Sequence, residues 1–375
     1  MAAPSDIQIP SDLLPADGRF CVGPSVVRQE AVDALAREAA SYMGTSHRQA
    51  RVKDMVGRLR EGLVELFALP DGWEIVLGNG GTTVFWDAAS FGLIERRSQH
   101  MVFGEFSSKF AKVTEAAPHL DSPEIIESEP GTAPQPRPSE VDVYALTHNE
   151  TSTGVAVELQ RPAAEGSADQ LVAVDATSAA GGLRWDPTEV DCYYFAPQKC
   201  FGSDGGLWLA ACSPAAIERI ERLAASDRWR PASIDLGIAL DNSRKNQTYN
   251  TPALATVFLA VNQIEWFNSN GGLEWSAGRS DRSAETIYGW AEASPYATPY
   301  VDEPALRSSV VATIDLDDQY PADDVMAACS ANGIHDIGGY RKLGRNQLRV
   351  SMFPGVDPDD VLALTHCLDY VVAQL

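Results

Sequence analysis

The sequence predicts an α/β fold, with a mostly parallel central sheet in a large domain and a smaller α/β domain at the carboxyl end. Three observations carry this expectation. Short apolar runs alternate with helical patterns from Trp73 to Ala210, as expected of strands covered on both faces. Two of these runs end in residues suited to chemistry, Asp175 after Leu171–Val174 and Lys199 beyond Tyr193–Phe195. A glycine-rich turn, Gly78-Asn79-Gly80-Gly81, separates a strand from a helix start.

Taken in order, Pro24 and Ser25 open a helical pattern with Val27, Val32 and Leu35 that ends near Gly44. Val52, Met55, Val56, Leu59, Leu63 and Leu66 recur at helical intervals until Pro70. Trp73–Leu77 is a strand, Gly78–Gly81 a tight turn and Thr82–Leu93 a helix; Met101–Phe103, Val143–Leu146, Leu171–Val174, Tyr193–Phe195 and Leu207–Ala210 are further strands. Ser122–Glu140, rich in Pro, Ser and Glu, is expected to be a surface connection. Asp227–Thr251 shows little periodicity and carries Arg228, Arg230, Arg244 and Lys245; so long an irregular connection is expected to be functional. A helix through Val257, Leu259, Val261 and Ile264 is broken by Gly271-Gly272. The smaller unit has a strand at Ser309–Leu316, a helix at Asp323–Ala331, a strand at Gln347–Phe353 and a closing helix at Pro358–Ala373. The expected domains are a large one, 20–270, and a smaller one, 271–375, with residues 1–19 packing on the smaller one.

Composition narrows the function. Apolar residues at 45% and charged residues at 22% make an ordinary globular mixture. A formal charge of −23 argues against non-specific binding to nucleic acid or to an anionic membrane. The six cysteines show no CxxC pair or metal-ligand spacing, so they are expected to be free thiols of a reducing compartment, and no metal site is expected. Cys200, next to Lys199, is expected to be a buried structural thiol. The start lacks a charged and apolar leader, and no run reaches the roughly 18 apolar residues of a membrane span, so a cytoplasmic location is expected.

The chemistry is suggested by Asp175 and Lys199 together. Ligands of parallel sheets gather outside the carboxyl ends of the strands. An amine and an acid presented there suit pyridoxal phosphate: the amine forms a Schiff base with the aldehyde, and the acid keeps the pyridine nitrogen protonated. The glycine turn suits a phosphate, because helix-terminal N–H groups and the helix dipole attract anions. It is not a dinucleotide fingerprint, since Thr83 takes the place of the third glycine, and it lacks the Gly-Lys-Ser/Thr ending of a P-loop. A plain strand-to-helix turn is an equal alternative for this segment alone. Asn149-Glu150-Thr151 closes a strand. Ser46-His47-Arg48 offers two oxyanion donors, though an isolated pair of this kind is more often a solvated loop. Arg349, flanked by apolar residues within a strand, is either an edge charge or a carboxylate clamp, with Arg341, Lys342 and Arg345 adding local positive charge.

With these motifs in view the chain resembles the phosphoserine aminotransferase family, in the class V branch of fold-type I pyridoxal-phosphate-dependent enzymes, and specifically its actinobacterial variety. The likeness runs from Phe20-Cys21-Val22-Gly23-Pro24-Ser25 through Ser46-His47-Arg48, Gly80-Gly81, Asn149-Glu150-Thr151, Asp175, Gln198-Lys199 and Asn250-Thr251-Pro252 to Arg349-Val350-Ser351-Met352-Phe353. The resemblance implies that Lys199 holds pyridoxal 5′-phosphate and shuttles the substrate proton, that Asp175 pairs with the ring nitrogen, and that Thr151 bonds the phenolic oxygen. It implies that Gly81, Thr82 and Gln198 hold the cofactor phosphate, joined by Asn250 and Thr251 of a second subunit in a homodimer, and that Phe106 stacks on the ring. Arg349 is implied to clamp the substrate α-carboxylate, and His47, Arg48 and Arg341 to receive the substrate phosphate or the glutamate side chain.

The chain departs from the commoner family pattern at Thr82, where an arginine is usual, at Tyr340, where a histidine is usual, and at Ala253, where a second proline is usual. Lys342 and Arg345 are expected to substitute in gripping the substrate phosphate. The implied reaction moves an amino group between L-glutamate and 3-phosphohydroxypyruvate, giving O-phospho-L-serine and 2-oxoglutarate in serine biosynthesis. It leaves room for a side activity on 4-phosphohydroxy-L-threonine in pyridoxine biosynthesis. An alanine–glyoxylate or serine–pyruvate aminotransferase is the alternative, disfavoured by the extra cations. A nucleotide-binding module is disfavoured by the failed fingerprint, and a non-catalytic relative by the presence of both Lys199 and Asp175.

Overall fold

The computed structural model describes residues 3–162 and 169–375. Helices α1 (Gln29–Tyr42) and α2 (Ala50–Leu66) come first. The first starts five residues later than the Pro24 expectation. The reason is tertiary: the Ser25 N–H donates to the Gln198 carbonyl (2.8 Å) and the Val22 carbonyl accepts from Lys199, which commits this segment to an extended path.

The alternating region follows as β1 (Glu74–Asn79), α3 (Thr82–Gly92), β2 (Ser98–Val102), α4 (Glu105–Ala116), β3 (Glu124–Glu127) and β4 (Val143–Thr147). A small hairpin, β5 (Asn149–Glu150) and β6 (Val155–Ala156), precedes β7 (Leu171–Asp175), β8 (Cys192–Phe195), β9 (Leu207–Cys212) and α5 (Pro214–Ala224). Seven of these strands form one sheet in the order β1-β9-β8-β7-β4-β2-β3, parallel except for β9, which runs antiparallel to both neighbours.

The strands are buried on both faces, with side chains alternating as their period of two requires. Ile75 and Leu77 enter one core together with Leu59 and Leu63 of α2. Val76 between them enters the opposite core with Phe85 of α3 and Ile217 of α5.

The segment expected to be irregular, Asp227–Thr251, instead contains a short helix, α6 (Leu236–Ser243). The Asp235 side chain caps it by accepting from the Gly237 and Ile238 N–H groups. Its arginines have structural partners: Arg228 bonds the Ile94 carbonyl (2.7 Å), Arg230 pairs with Asp235 (2.6 Å), and Arg244 pairs with Glu74 (2.6 Å) and Glu221 (2.8 Å). Eight residues were too few to show a helical period. The Ser122–Glu140 connection likewise contains an edge strand, β3.

Helix α7 (Leu254–Ser269) packs on α2 and ends before Gly271, whose φ of +121° favours glycine. The rest is α8 (Gly272–Ala293), β10 (Ala297–Pro299), β11 (Val311–Leu316), α9 (Ala322–Ala331), β12 (Gln347–Ser351) and α10 (Pro358–Gln374). Strands β10, β11 and β12 form an antiparallel sheet in that order. A third core joins Ile314 and Leu348 of this sheet to Ile287 of α8, Leu364 of α10, and Ile9 and Phe20 from the start of the chain.

Candidate active site

Strands β7 and β8 are parallel neighbours, so their carboxyl ends share one sheet edge. Asp175 ends β7 opposite Tyr194, and Lys199 lies four residues beyond the end of β8. The amino end of α3 opens at the same place. Gly81 caps that helix without any side-chain hydrogen bond, and a Cβ on it would meet nothing within 4 Å. These parts surround a cavity of about 190 Å³ whose walls include Gly81, Thr82, Phe106, Thr151, Asp175, Gln198 and Lys199, all predicted from the sequence. The tight turn is shorter than predicted, because β1 continues through Asn79 and only Gly80 and Gly81 turn the chain.

The Lys199 Nζ donates to the Val22 carbonyl at 2.7 Å. Its pKa is depressed from 10.5 to about 8, first by loss of water around the amine and then by the positive charge of Arg349. Gly23 makes room for it: the residue sits at φ +141°, and a Cβ there would lie 1.8 Å from Nζ.

Asp175 is buried. Its Oδ1 accepts from the Thr177 N–H (2.9 Å) and hydroxyl (2.6 Å), and its Oδ2 from the Trp86 Nε1–H (3.1 Å). Burial outweighs these bonds and raises the carboxyl above its usual range, with Glu150 adding a like charge. A positive ring nitrogen beside it would restore the carboxylate. Thr177 also reaches Thr82, their hydroxyls lying 2.8 Å apart, which ties the acid to the α3 turn.

Trp86 and Thr177 were missed in the sequence. The available signal was spacing: Trp86 stands one helical turn after Thr82, and Thr177 two residues after the acid, where an Asx turn forms.

Elsewhere in the lining the Thr151 hydroxyl lies 2.7 Å from the Ser178 hydroxyl, which also accepts from the Asn149 side-chain amide (2.8 Å). Glu150 is fully buried and accepts from the Phe106 (3.1 Å), Ser107 (2.9 Å) and Ser152 (3.1 Å) N–H groups, which fixes the aromatic residue at the start of α4. Arg349 on β12 donates through Nη1 to the Thr151 carbonyl at 3.1 Å. Two lining residues carry a buried polar atom without a partner among the described residues, Gln198 Oε1 and Asn149 Oδ1; Arg349 Nε, outside the lining, is likewise unpartnered. An amine, a neighbouring acid, an open helix terminus and unmatched polar atoms around one cavity fit pyridoxal phosphate.

The remaining predicted residues lie elsewhere. His47, Arg48, Asn250, Thr251 and Arg341 do not line the cavity, and neither does Arg349, which meets it only through the Thr151 carbonyl. The His47 Nδ1 lies 3.2 Å from the Thr251 hydroxyl, and the Thr251 carbonyl accepts from the Asn79 amide (2.7 Å). Arg48 donates to the Gln247 side chain at 2.9 Å. Burial, and then the Arg48 charge, lowers the His47 pKa, while its Nε2 is buried without a partner among the described residues.

Lys342 and Arg345, expected as substitute phosphate grips, are already neutralised. Lys342 pairs with Glu105 (2.5 Å), and Arg345 pairs with Asp315 (2.5 Å) and lies over the Tyr300 ring. Cys200 is a buried thiol, donating to the Ser178 carbonyl and pushed far from ionisation by burial. No metal-binding cluster of His, Cys, Asp and Glu occurs among the described residues, nor any helix long and apolar enough to cross a membrane.

Residues 126–364 match the family model described as aminotransferase class-V. A phosphoserine aminotransferase of Nocardioides sp. strain JS614 is 59% identical over 370 residues, covering 98% of this chain and 99% of that one. Two solved structures share the fold. One, a phosphoserine aminotransferase of Cytophaga hutchinsonii, has a TM-score of 0.85 and 23% identity, covering 94% of this chain and 99% of the other. The second, a PLP-bound phosphoserine aminotransferase of Trichomonas vaginalis, has a TM-score of 0.81 and 19% identity with the same coverage. The chain belongs to the phosphoserine aminotransferase family of class-V, fold-type I enzymes.

Proposed function

We propose that this protein is a pyridoxal-phosphate-dependent aminotransferase that converts L-glutamate and 3-phosphohydroxypyruvate to 2-oxoglutarate and O-phospho-L-serine, and the reverse. The observation that carries the reading is the shared cavity of Lys199 and Asp175 at the open amino end of α3. When bound, pyridoxal 5′-phosphate supplies an aldehyde for the lysine and a ring that delocalises the electrons left on the substrate Cα.

The chain's residues supply the rest. With its pKa lowered to about 8, Lys199 has a sizeable neutral fraction near neutral pH, as a nucleophile and proton shuttle requires. Asp175 has a lone-pair site left beyond its three hydrogen bonds and holds a positive charge on the pyridine nitrogen. Thr151 and Ser178 would hold the phenolic oxygen, and Phe106 would stack on the ring. Gly81, Thr82 and Gln198 hold the phosphate, and Arg349 takes the substrate α-carboxylate.

His47, Arg48, Asn250 and Thr251 form a surface group on the flank of the β1–α3 turn. In the proposal they complete the site of a second copy in a two-fold homodimer: Asn250 and Thr251 reach the cofactor phosphate, while His47 and Arg48, with Arg341, meet the substrate phosphate or the glutamate side chain. Residues 20–270 then act as the cofactor domain and 271–375, with 1–19, as the smaller one. A cytoplasmic location fits the free thiols.

The test is spectroscopic. The purified protein should show a visible band that borohydride bleaches irreversibly and that O-phospho-L-serine and L-glutamate each discharge. Lys199→Ala should show neither. A covalent adduct that persists in Lys199→Ala, or a band that phosphoserine cannot discharge, would sink the reading.

A further inference from the structure

Tyr340 stands where the commoner family pattern has a histidine, which makes it a natural suspect in gripping the substrate phosphate. Its surroundings point elsewhere. The Arg349 N–H donates to the Ile337 carbonyl (2.8 Å) and the Gly339 N–H to the Gln347 carbonyl (3.0 Å), so the 337–339 segment lies along β12. Tyr340 is the next residue, and its ring lies 5.2 Å from the Arg349 guanidinium. The ring is also 6.3 Å from that of Phe106. The Lys342–Glu105 pair (2.5 Å) fastens the following turn to the start of α4, which keeps these neighbours together.

Arg349 needs such support. Its guanidinium is largely buried, which lowers its pKa. It makes one hydrogen bond, to the Thr151 carbonyl, and its Nε has no partner among the described residues. A carboxylate neighbour would occupy the donors that a substrate must use. An aromatic face attracts the cation without taking any donor.

We propose that Tyr340 is a positioning residue for the α-carboxylate clamp, its ring holding the Arg349 guanidinium and linking it to Phe106, rather than a phosphate-gripping residue. This rests on the reading of Arg349 as the clamp. Because every amino donor carries an α-carboxylate, loss of the ring must weaken all donors alike. Loss of a phosphate grip would spare alanine.

The experiment follows single-turnover discharge of the visible band by phosphoserine, glutamate and alanine in the holoenzyme. Tyr340→Leu should raise the half-saturating concentration of all three by a common factor of about 3 to 30, with limiting rates little changed. Tyr340→Phe should restore wild-type values to within about twofold, because the ring rather than the hydroxyl is required. Should Tyr340→Leu fold poorly, Tyr340→Trp keeps the test alive, since indole offers the strongest face and should match or improve on wild type for all three donors. The inference is overturned if the loss is confined to phosphoserine and glutamate, if Tyr340→Phe is as damaged as Tyr340→Leu, or if Tyr340→Trp weakens phosphoserine alone. Arg349→Ala separates the two layers. If it harms all three donors while Tyr340→Leu harms none, only the inference fails. If it spares alanine, the clamp is misplaced and the inference falls with it.

Discussion

The Lys199 cavity and the His47–Thr251 surface group contain the same kinds of residue but differ in how completely one chain finishes them. In the cavity, Asp175 has three donors and Glu150 a set of backbone N–H groups, and Lys199 is seated against the Val22 carbonyl. Two of its lining residues, Asn149 and Gln198, carry a buried polar atom without a partner among the described residues. In the surface group, Arg48 bonds the Gln247 amide, Asn250 and Thr251 are exposed, and the His47 Nε2 has no partner among the described residues. In the first region the key side chains find their partners within one chain. The second is a set of donors held in place but given nothing charged to hold, as expected of groups that serve a neighbouring subunit.

The largest test of this contrast is Asp175→Asn. Removing a buried carboxylate should leave folding intact or improved, since burial already disfavours the charge. Transamination should fall by at least about a hundredfold, because an amide cannot sustain a positive ring nitrogen. Turnover near wild type would show that the acid is a structural cap and the cavity is not the site of chemistry.

The surface group should behave differently, affecting selectivity more than chemistry. Arg48→Ala is expected to weaken phosphoserine and glutamate by a factor of tens relative to alanine, the usual cost of losing a charge-assisted contact. Equal damage to alanine would mean that Arg48 supports the fold through Gln247.

Subunit sharing can be tested by mixing two inactive variants, Lys199→Ala and Thr251→Arg. Random exchange places one unlesioned site in each mixed dimer, so about a quarter of wild-type activity should return. No recovery despite demonstrated exchange would erase the distinction between the two regions.

The smallest effect concerns pH. In the cofactor-free protein the Lys199 pKa is about 8, set by lost hydration and the Arg349 charge against the favourable charge of Asp175; in the unfolded chain it returns to 10.5. Between these values the unfolded chain holds a proton that the folded one has lost, so stability rises with pH across that window. Urea titrations of wild type and Lys199→Met from pH 8 to 10 should diverge in favour of wild type as pH rises, by on the order of 2–3 kcal/mol over the full interval. Parallel curves would place the lysine in water rather than in the cavity.

Most of the parallel sheet was legible because its strands are apolar runs ended by glycine, proline or a functional acid, and both buried faces raise the same signal. Lys199 and Asp175 were legible for a related reason, as polar residues closing strands that are otherwise entirely apolar. Elements whose stability is not local were illegible. The segment from Pro24 to Arg28 looks helical, yet bonds to Gln198 and Lys199 hold it extended. Helix α6 depends on a single aspartate cap, and β3 is a half-exposed edge.

Within the site, spacing along the chain could name donors but not their targets. Lys342 and Arg345 looked available for a phosphate until folding placed Glu105 and Asp315 beside them, and nothing marked Trp86 until its indole N–H met Asp175. The sequence by itself determined the sheet, the lysine, the acid and the glycine turn, because each depends on residues near in the chain. Which charges are already neutralised, which polar atoms face an unfilled space, and that Tyr340 lies against Arg349 were decided by the tertiary structure alone, because electrostatic partnership depends on distances of a few ångströms between residues far apart in the chain.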